Sequence, residues 1–187
     1  EASEISNKYP LIVLADNHEL DDEEYPRLAE YVKGGGKILA VGKSALYKGA
    51  PAFDLGAKLL ELDTYSPTYI RPKYEIAAAE DTALAVYSEV YDIEPTGEVL
   101  VEKITPYFRR EGMHYCSHNN TPADYGKVSA AVTEGRDGIL LAADLFTDYC
   151  EVGSLNPKVT VLPLMERLLG DEAQAYFEAL KLSPTRG

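Results

Sequence analysis

The segment from Tyr9 to Gly42 reads as one strand–helix–strand unit, and no other part of the chain constrains the fold as strongly. Pro10-Leu-Ile-Val-Leu-Ala15 is an apolar run of strand length without alternation, the pattern of a strand covered on both faces. After the loop Asp16-Asn17-His18, Asp21 or Asp22 is placed to cap a helix, with the first-turn glutamates at its positive dipole end. The acidic run Glu19 to Glu24 is thereby explained as a helix start and not as a metal site. Tyr25, Leu28, Ala29 and Val32 then recur at i, i+3, i+4, i+7, which makes one buried stripe. Gly34-Gly35-Gly36 stops the helix, because glycine tolerates the left-handed conformation at its C′ position, and Lys37-Ile-Leu-Ala-Val41 starts a second strand. A helix between two such strands predicts parallel pairing with a right-handed crossover.

Beyond this unit the pattern is mixed. Ser44 to Pro72 is rich in Pro, Gly and Tyr and reads as irregular chain with one short helix around Phe53 to Leu60. Glu98-Val-Leu-Val-Glu-Lys-Ile104 alternates as a half-buried strand, and Lys127 to Thr133 and Gly138 to Ala143 flank a turn, Glu134 to Asp137, as a hairpin. Asn156-Pro157 reads as a cap and first-turn pair ahead of the stripe Val161, Leu164, Met165 and Leu168, in which Pro163 is a break unless the helix begins there. A last amphipathic helix is predicted over Asp171 to Leu182. Residues 1–8 and 183–187 read as tails of a single domain, 9–182. Strands alternating with helices, plus one antiparallel hairpin, give a mixed α/β sheet.

At 187 residues a chain buries enough surface to need no disulfide or metal staple. A net charge of −13 repels phosphate backbones and anionic lipid, so neither nucleic acid nor a membrane surface is an expected partner. No apolar run approaches the ~20 residues of a spanning helix. The start at Glu1, without methionine or a signal-like segment, reads as a piece of a longer protein or a processed product. The cysteines, Cys116 and Cys150, are expected as free thiols, and a cytoplasmic setting is favoured.

Three constellations could carry chemistry. Gly42-Lys43-Ser44 is not a phosphate loop, because the glycine required five residues earlier is Lys37 and the intervening residues are a strand. Gly42-Lys-Ser44-Ala-Leu46 half-matches a nucleophile elbow, with Leu46 where the second glycine belongs, so Ser44 is a weak nucleophile candidate. His114-Tyr-Cys116-Ser-His118 is the densest reactive cluster. Extended, it places His114, Cys116 and His118 on one face, but one such segment supplies at most three ligands, and no stoichiometric metal and no cofactor are expected. Cys116 has adjacent imidazoles that could lower its pKa, yet it lacks the glycine-flanked turn of a catalytic thiolate. Arg109, just upstream, is read as an ordinary solvated ion-pair partner.

Four segments carry a resemblance: Tyr9-Pro-Leu-Ile-Val-Leu-Ala-Asp16, Glu30-Tyr-Val-Lys-Gly-Gly-Gly-Lys-Ile-Leu39, Tyr65-Ser-Pro-Thr-Tyr-Ile-Arg-Pro72, and Tyr107 through Pro122. Their order resembles the class I glutamine amidotransferase-like domain known as the β-galactosidase trimerisation domain, which also occurs in related glycoside hydrolases. The resemblance implies a flavodoxin-like, mostly parallel sheet with helices on both faces and an antiparallel hairpin. In true amidotransferases a cysteine nucleophile follows the second strand, at about Gly42 here, and its absence implies a non-catalytic domain that supports assembly. The partners so implied are a catalytic barrel of the same polypeptide, fucosidase-like or β-galactosidase-like, and further copies of the full-length protein, with paired carboxylates of the barrel cleaving the glycosidic bond. Isolated, the domain is expected to be monomeric or weakly associated. His114, Cys116, His118, Arg109, Tyr107 and Tyr69 are expected at a ligand or domain interface, and Tyr65, Tyr69, Tyr107 and Tyr115 offer an alternative sugar-binding surface. A self-contained hydrolase using Cys116 or Ser44 is the enzymatic alternative.

Overall fold

The computed structural model describes residues 8–74, 82–109, 111–114 and 120–171. In chain order these form β1 (Leu11–Leu14), α1 (Glu24–Lys33), β2 (Lys37–Val41), a 3-10 turn (Gly42–Ala45), β3 (Leu46–Tyr47), β4 (Ala50–Pro51), β5 (Ala57–Leu62), β6 (Thr68–Pro72), β7 (Leu84–Val86), β8 (Tyr91–Pro95), β9 (Glu98–Pro106), β10 (Ala123–Glu134), β11 (Gly138–Leu141), a short turn of helix (Leu145–Thr147) running into a π-turn (Asp148–Val152), and α2 (Asn156–Leu169).

The main sheet has the order β1-β2-β11-β10-β9-β6-β7. β1 pairs parallel with β2, and β2 with β11, as the strand–helix–strand pattern requires. The other pairings, from β11 to β7, are antiparallel, so the expectation of a mostly parallel sheet holds at one edge only. The predicted hairpin is present, with Val132 opposite Leu141.

Each face of the parallel edge carries one helix, and the two-residue period of β2 decides which side chains go where. Leu39 and Val41 join Ile139, Leu141, Val161 and Leu164 under α2. Ile38 and Ala40 join Leu140, Ala142 and Tyr31 under α1, whose predicted stripe of Tyr25, Leu28, Ala29 and Val32 packs there half-buried. Tyr31, off that stripe, is almost fully buried and donates its hydroxyl to the carbonyls of Tyr9 (2.9 Å) and Lys37 (3.2 Å). Farther along the sheet, the antiparallel β5–β8 pair covers the α1 face instead of a helix. Lys103 of β9, 2% exposed, holds it down by pairing with Asp63 (2.8 Å) and Asp92 (2.5 Å).

Several expectations are corrected. Residues 44–72 are not irregular, and the helix expected around Phe53 to Leu60 is absent: Ala57–Leu62 is β5, paired with β8. Tertiary pairing overrides the helical propensity of Ala57-Lys-Leu-Leu-Glu-Leu62. Asn156 is the first residue of α2 and not its cap; Ser154 Oγ accepts its N–H at 3.2 Å. Pro163 does not break α2. It has no N–H for the Val159 carbonyl, and one residue along, the Thr160 carbonyl accepts the Tyr74 hydroxyl at 2.6 Å, so the loosened turn is tied from outside. The last predicted helix lies outside the described residues beyond Asp171.

Candidate functional site

Strand directions gather the long loops at one end of the sheet. β1, β2 and β11 run in one direction, and β9 and β7 run with them because each is separated from that set by an even number of antiparallel steps. The residues that follow Leu14, Val41, Val86, Pro106 and Leu141, and those that precede Thr68 and Ala123, therefore emerge together. Ligands of open α/β sheets bind outside this carboxyl end. It brings Asp16, Asn17, His18, Ser44, Glu89, Arg109 and His114 to one side of the molecule.

At its centre is the turn after β2. Gly42 has φ +46°, and a Cβ built on it would collide with Asn17 Oδ1 and lie 2.8 Å from Tyr91 Cε2. Asn17, itself at φ +51°, accepts the Lys43 N–H on Oδ1 at 2.9 Å and donates from Nδ2 to Glu89 Oε2 at 3.1 Å. The Tyr91 hydroxyl donates to the same carboxylate at 3.4 Å. A nucleophile on a strand-to-helix elbow needs room for its side chain and the free N–H of the next residue as an oxyanion donor. Here the asparagine amide takes both. Ser44, two residues on, is 1% exposed, and among the described residues its hydroxyl has no hydrogen-bond partner and no base in place to take its proton.

Beside this turn lies a cavity of about 330 Å³. Its polar lining is Asp16, His18, Glu24, Arg27 and Ser44. His18 Nε2 is 3.3 Å from Glu24 Oε2, and Nδ1 is 4.0 Å from Asp16 Oδ2. Glu24 also accepts the Asp21 N–H at 3.1 Å, while Asp21 Oδ1 accepts the N–H groups of Glu23 and Glu24, both at 2.8 Å. This reciprocal cap confirms Asp21 as the residue that opens α1, and the Glu24 and then the Glu23 N–H hold its carboxyl below the usual range. Asp16 and Arg27 carry no local motif, and sequence reasoning missed them.

The candidates around Arg109 form a second, smaller group about a pocket of 140 Å³ lined by Tyr65, Phe108, Arg109, Glu111 and Thr121. The Arg109 guanidinium lies over the Tyr65 ring at 5.1 Å. The Tyr69 hydroxyl donates to the Thr121 carbonyl at 2.6 Å and fixes the return into β10, while Tyr107 is 57% exposed. His114 is exposed, with its ring 5.9 Å from that of Phe108. Cys116, His118 and Tyr115 lie outside the described residues. Among the described residues no three His, Cys, Asp or Glu side chains are grouped to hold a metal ion, and no helix is long and apolar enough to cross a membrane.

Neither a protein-family model nor a curated protein matches the chain. Solved structures do. Alpha-L-fucosidase isoenzyme 2 from Paenibacillus thiaminolyticus superposes with a TM-score of 0.83 at 31% sequence identity, over 88% of this chain and 26% of that one. Gan42B, a GH42 β-galactosidase from G. stearothermophilus, gives a TM-score of 0.51 at 15% identity over 95% of this chain and 22% of that one. A ThuA-like protein from Bacteroides uniformis gives 0.60 at 12% identity, over 91% of this chain and 75% of that one. The latter two likenesses concern the fold alone. The first two neighbours are glycoside hydrolases. This chain spans about a quarter of the fucosidase it resembles, since 26% of that chain is covered.

Proposed function

We propose that the chain is a non-catalytic accessory and assembly domain of a larger glycoside hydrolase, fucosidase-like or β-galactosidase-like, built on the flavodoxin-like plan of class I amidotransferases. The observation that carries this reading is the turn after β2. The place of the nucleophile is a glycine whose side-chain space is filled by Asn17, and the following N–H is already bonded. The fucosidase likeness supports the parent's class, because it covers 88% of this chain but only 26% of the neighbour.

In this reading the loop face of Tyr65, Tyr69, Tyr107, Arg109 and His114, with Cys116 and His118 following in sequence, meets the catalytic part of the parent polypeptide or of a second copy. A stacked guanidinium and an exposed imidazole are suited to such a face, since both donate hydrogen bonds while lying flat on apolar surface. The test is to assay the 187-residue chain and its full-length parent against aryl glycosides. The chain alone is expected to hydrolyse none and the parent to hydrolyse at least one. Hydrolysis by the isolated chain, or a parent with no catalytic region outside these residues, would overturn the reading.

A further inference from the structure

The cavity beside the β2 turn has no part in the proposed assembly role, and its lining mixes aliphatic and polar side chains. Its floor is aliphatic, with Leu14, Leu20 and Leu28 contributed by β1, the loop after it and α1. Around that floor acceptors and donors are interspersed. Asp16 and Glu24 bring carboxylates, Arg27 a guanidinium, and His18 an imidazole held between the two carboxylates. Arg27 is exposed and forms no ion pair or side-chain hydrogen bond among the described residues. Ser44, also in the lining, is buried with its hydroxyl unpartnered among the described residues, and a buried hydroxyl without a partner is costly unless something else completes it.

We propose that this cavity binds a single neutral sugar unit. A hydroxyl both donates and accepts, so a ring bearing several of them satisfies carboxylates and a guanidinium together, while its C–H face covers the aliphatic floor. An anion fits poorly, because two carboxylates face it on a chain of net charge −13. An apolar ligand would strand the polar rim without partners. The volume, about 330 Å³, lies at the small end of the ~300–1,000 Å³ usual for ligand clefts, which suits one ring and not an oligosaccharide. The site is separate from the reading of the chain as an accessory domain, and neither falls with the other.

The test is titration of the 187-residue chain with D-galactose, L-fucose, D-glucose, D-glucuronate and inorganic phosphate, followed by amide NMR shifts and calorimetry, alongside Arg27→Ala and Asp16→Asn. Both substituted side chains are exposed, so the folded signal is expected to persist, and circular dichroism checks it. At least one neutral sugar is expected to bind saturably, with shifts at Asp16, His18 and Arg27, and each variant to weaken it about tenfold through loss of a charge-assisted hydrogen bond. No saturable binding of any neutral sugar up to ~100 mM, a Kd corresponding to very weak association, overturns the proposal. So does binding confined to glucuronate or phosphate, or neutral-sugar binding that both variants leave unchanged.

Discussion

The two ends of the sheet are built differently. At the amino end of β2, β9 and β11 the connections are short and closed on backbone. A Cβ on Gly138 would land on the Ile38 carbonyl, one on Gly97 on the Glu134 carbonyl, and one on Gly135 on the carbonyl of Asp54. Asp137, in that turn, accepts the Asp54 N–H at 3.0 Å, and Arg167 ties α2 to Glu134 (2.6 Å) and Glu98 (2.7 Å). At the carboxyl end the connections are long, and the polar groups there include a buried hydroxyl without a partner among the described residues and an exposed imidazole. One end closes the fold and the other presents chemistry, as in other open α/β sheets.

Substitutions at the two ends break this contrast in different currencies. The largest loss of stability is expected from Gly138→Ala at the amino end. The new methyl cannot avoid the main chain of β2, and a cost of about 3 kcal/mol or more should appear as a lowered urea midpoint. Gly42→Cys at the carboxyl end is expected to cost less, about 1–3 kcal/mol, because the obstacle is the Asn17 side chain and a positive φ, and a side chain can move. The variant places a thiol at this turn yet is expected to acquire no hydrolytic activity, since the new side chain shares its space with Asn17 and Tyr91 and neither is a base that could ionise it. A thioester or amide assay on the purified variant checks this.

The amino end also carries a pH dependence. The Arg136 guanidinium, and then the Asp54 N–H, hold the Asp137 carboxyl below its ordinary 3.8. A carboxyl depressed in the folded state contributes stability that is complete above its unfolded value and is lost as pH falls through the folded value. Wild type is therefore expected to lose more stability between about pH 5 and about pH 3 than Asp137→Asn does, in paired urea titrations. The smallest effect is expected from Tyr74→Phe, which removes one hydrogen bond to the Thr160 carbonyl and costs about 1 kcal/mol.

What the sequence disclosed follows the same division. The β1–α1–β2 unit was legible because its apolar spacing, capping aspartate and triple glycine are local signals that agree. The strand at Ala57–Leu62 was not, since Ala-Lys-Leu-Leu-Glu-Leu has no alternation and becomes a strand only by pairing with Tyr91–Pro95, some thirty residues on. The absence of a side chain at Gly42 was visible as an identity. That Asn17, 26 residues before Lys43, fills its place is a long-range contact with no local signature. Arg27 has no local signal, and only the fold brings it into one cavity lining with Asp16, His18 and Ser44.

The central claim is that the carboxyl end serves a hydrolase without performing the hydrolysis. Its most direct test is steady-state kinetics of the full-length parent on an aryl glycoside, comparing wild type, Ser44→Ala and His114→Ala with each variant shown to be folded. The account predicts that Ser44→Ala retains wild-type kcat/KM and that His114→Ala lowers it, by about tenfold if one hydrogen bond at a domain interface is lost. Loss of activity in Ser44→Ala, with His114→Ala unaffected, would place the chemistry inside this chain and contradict the account.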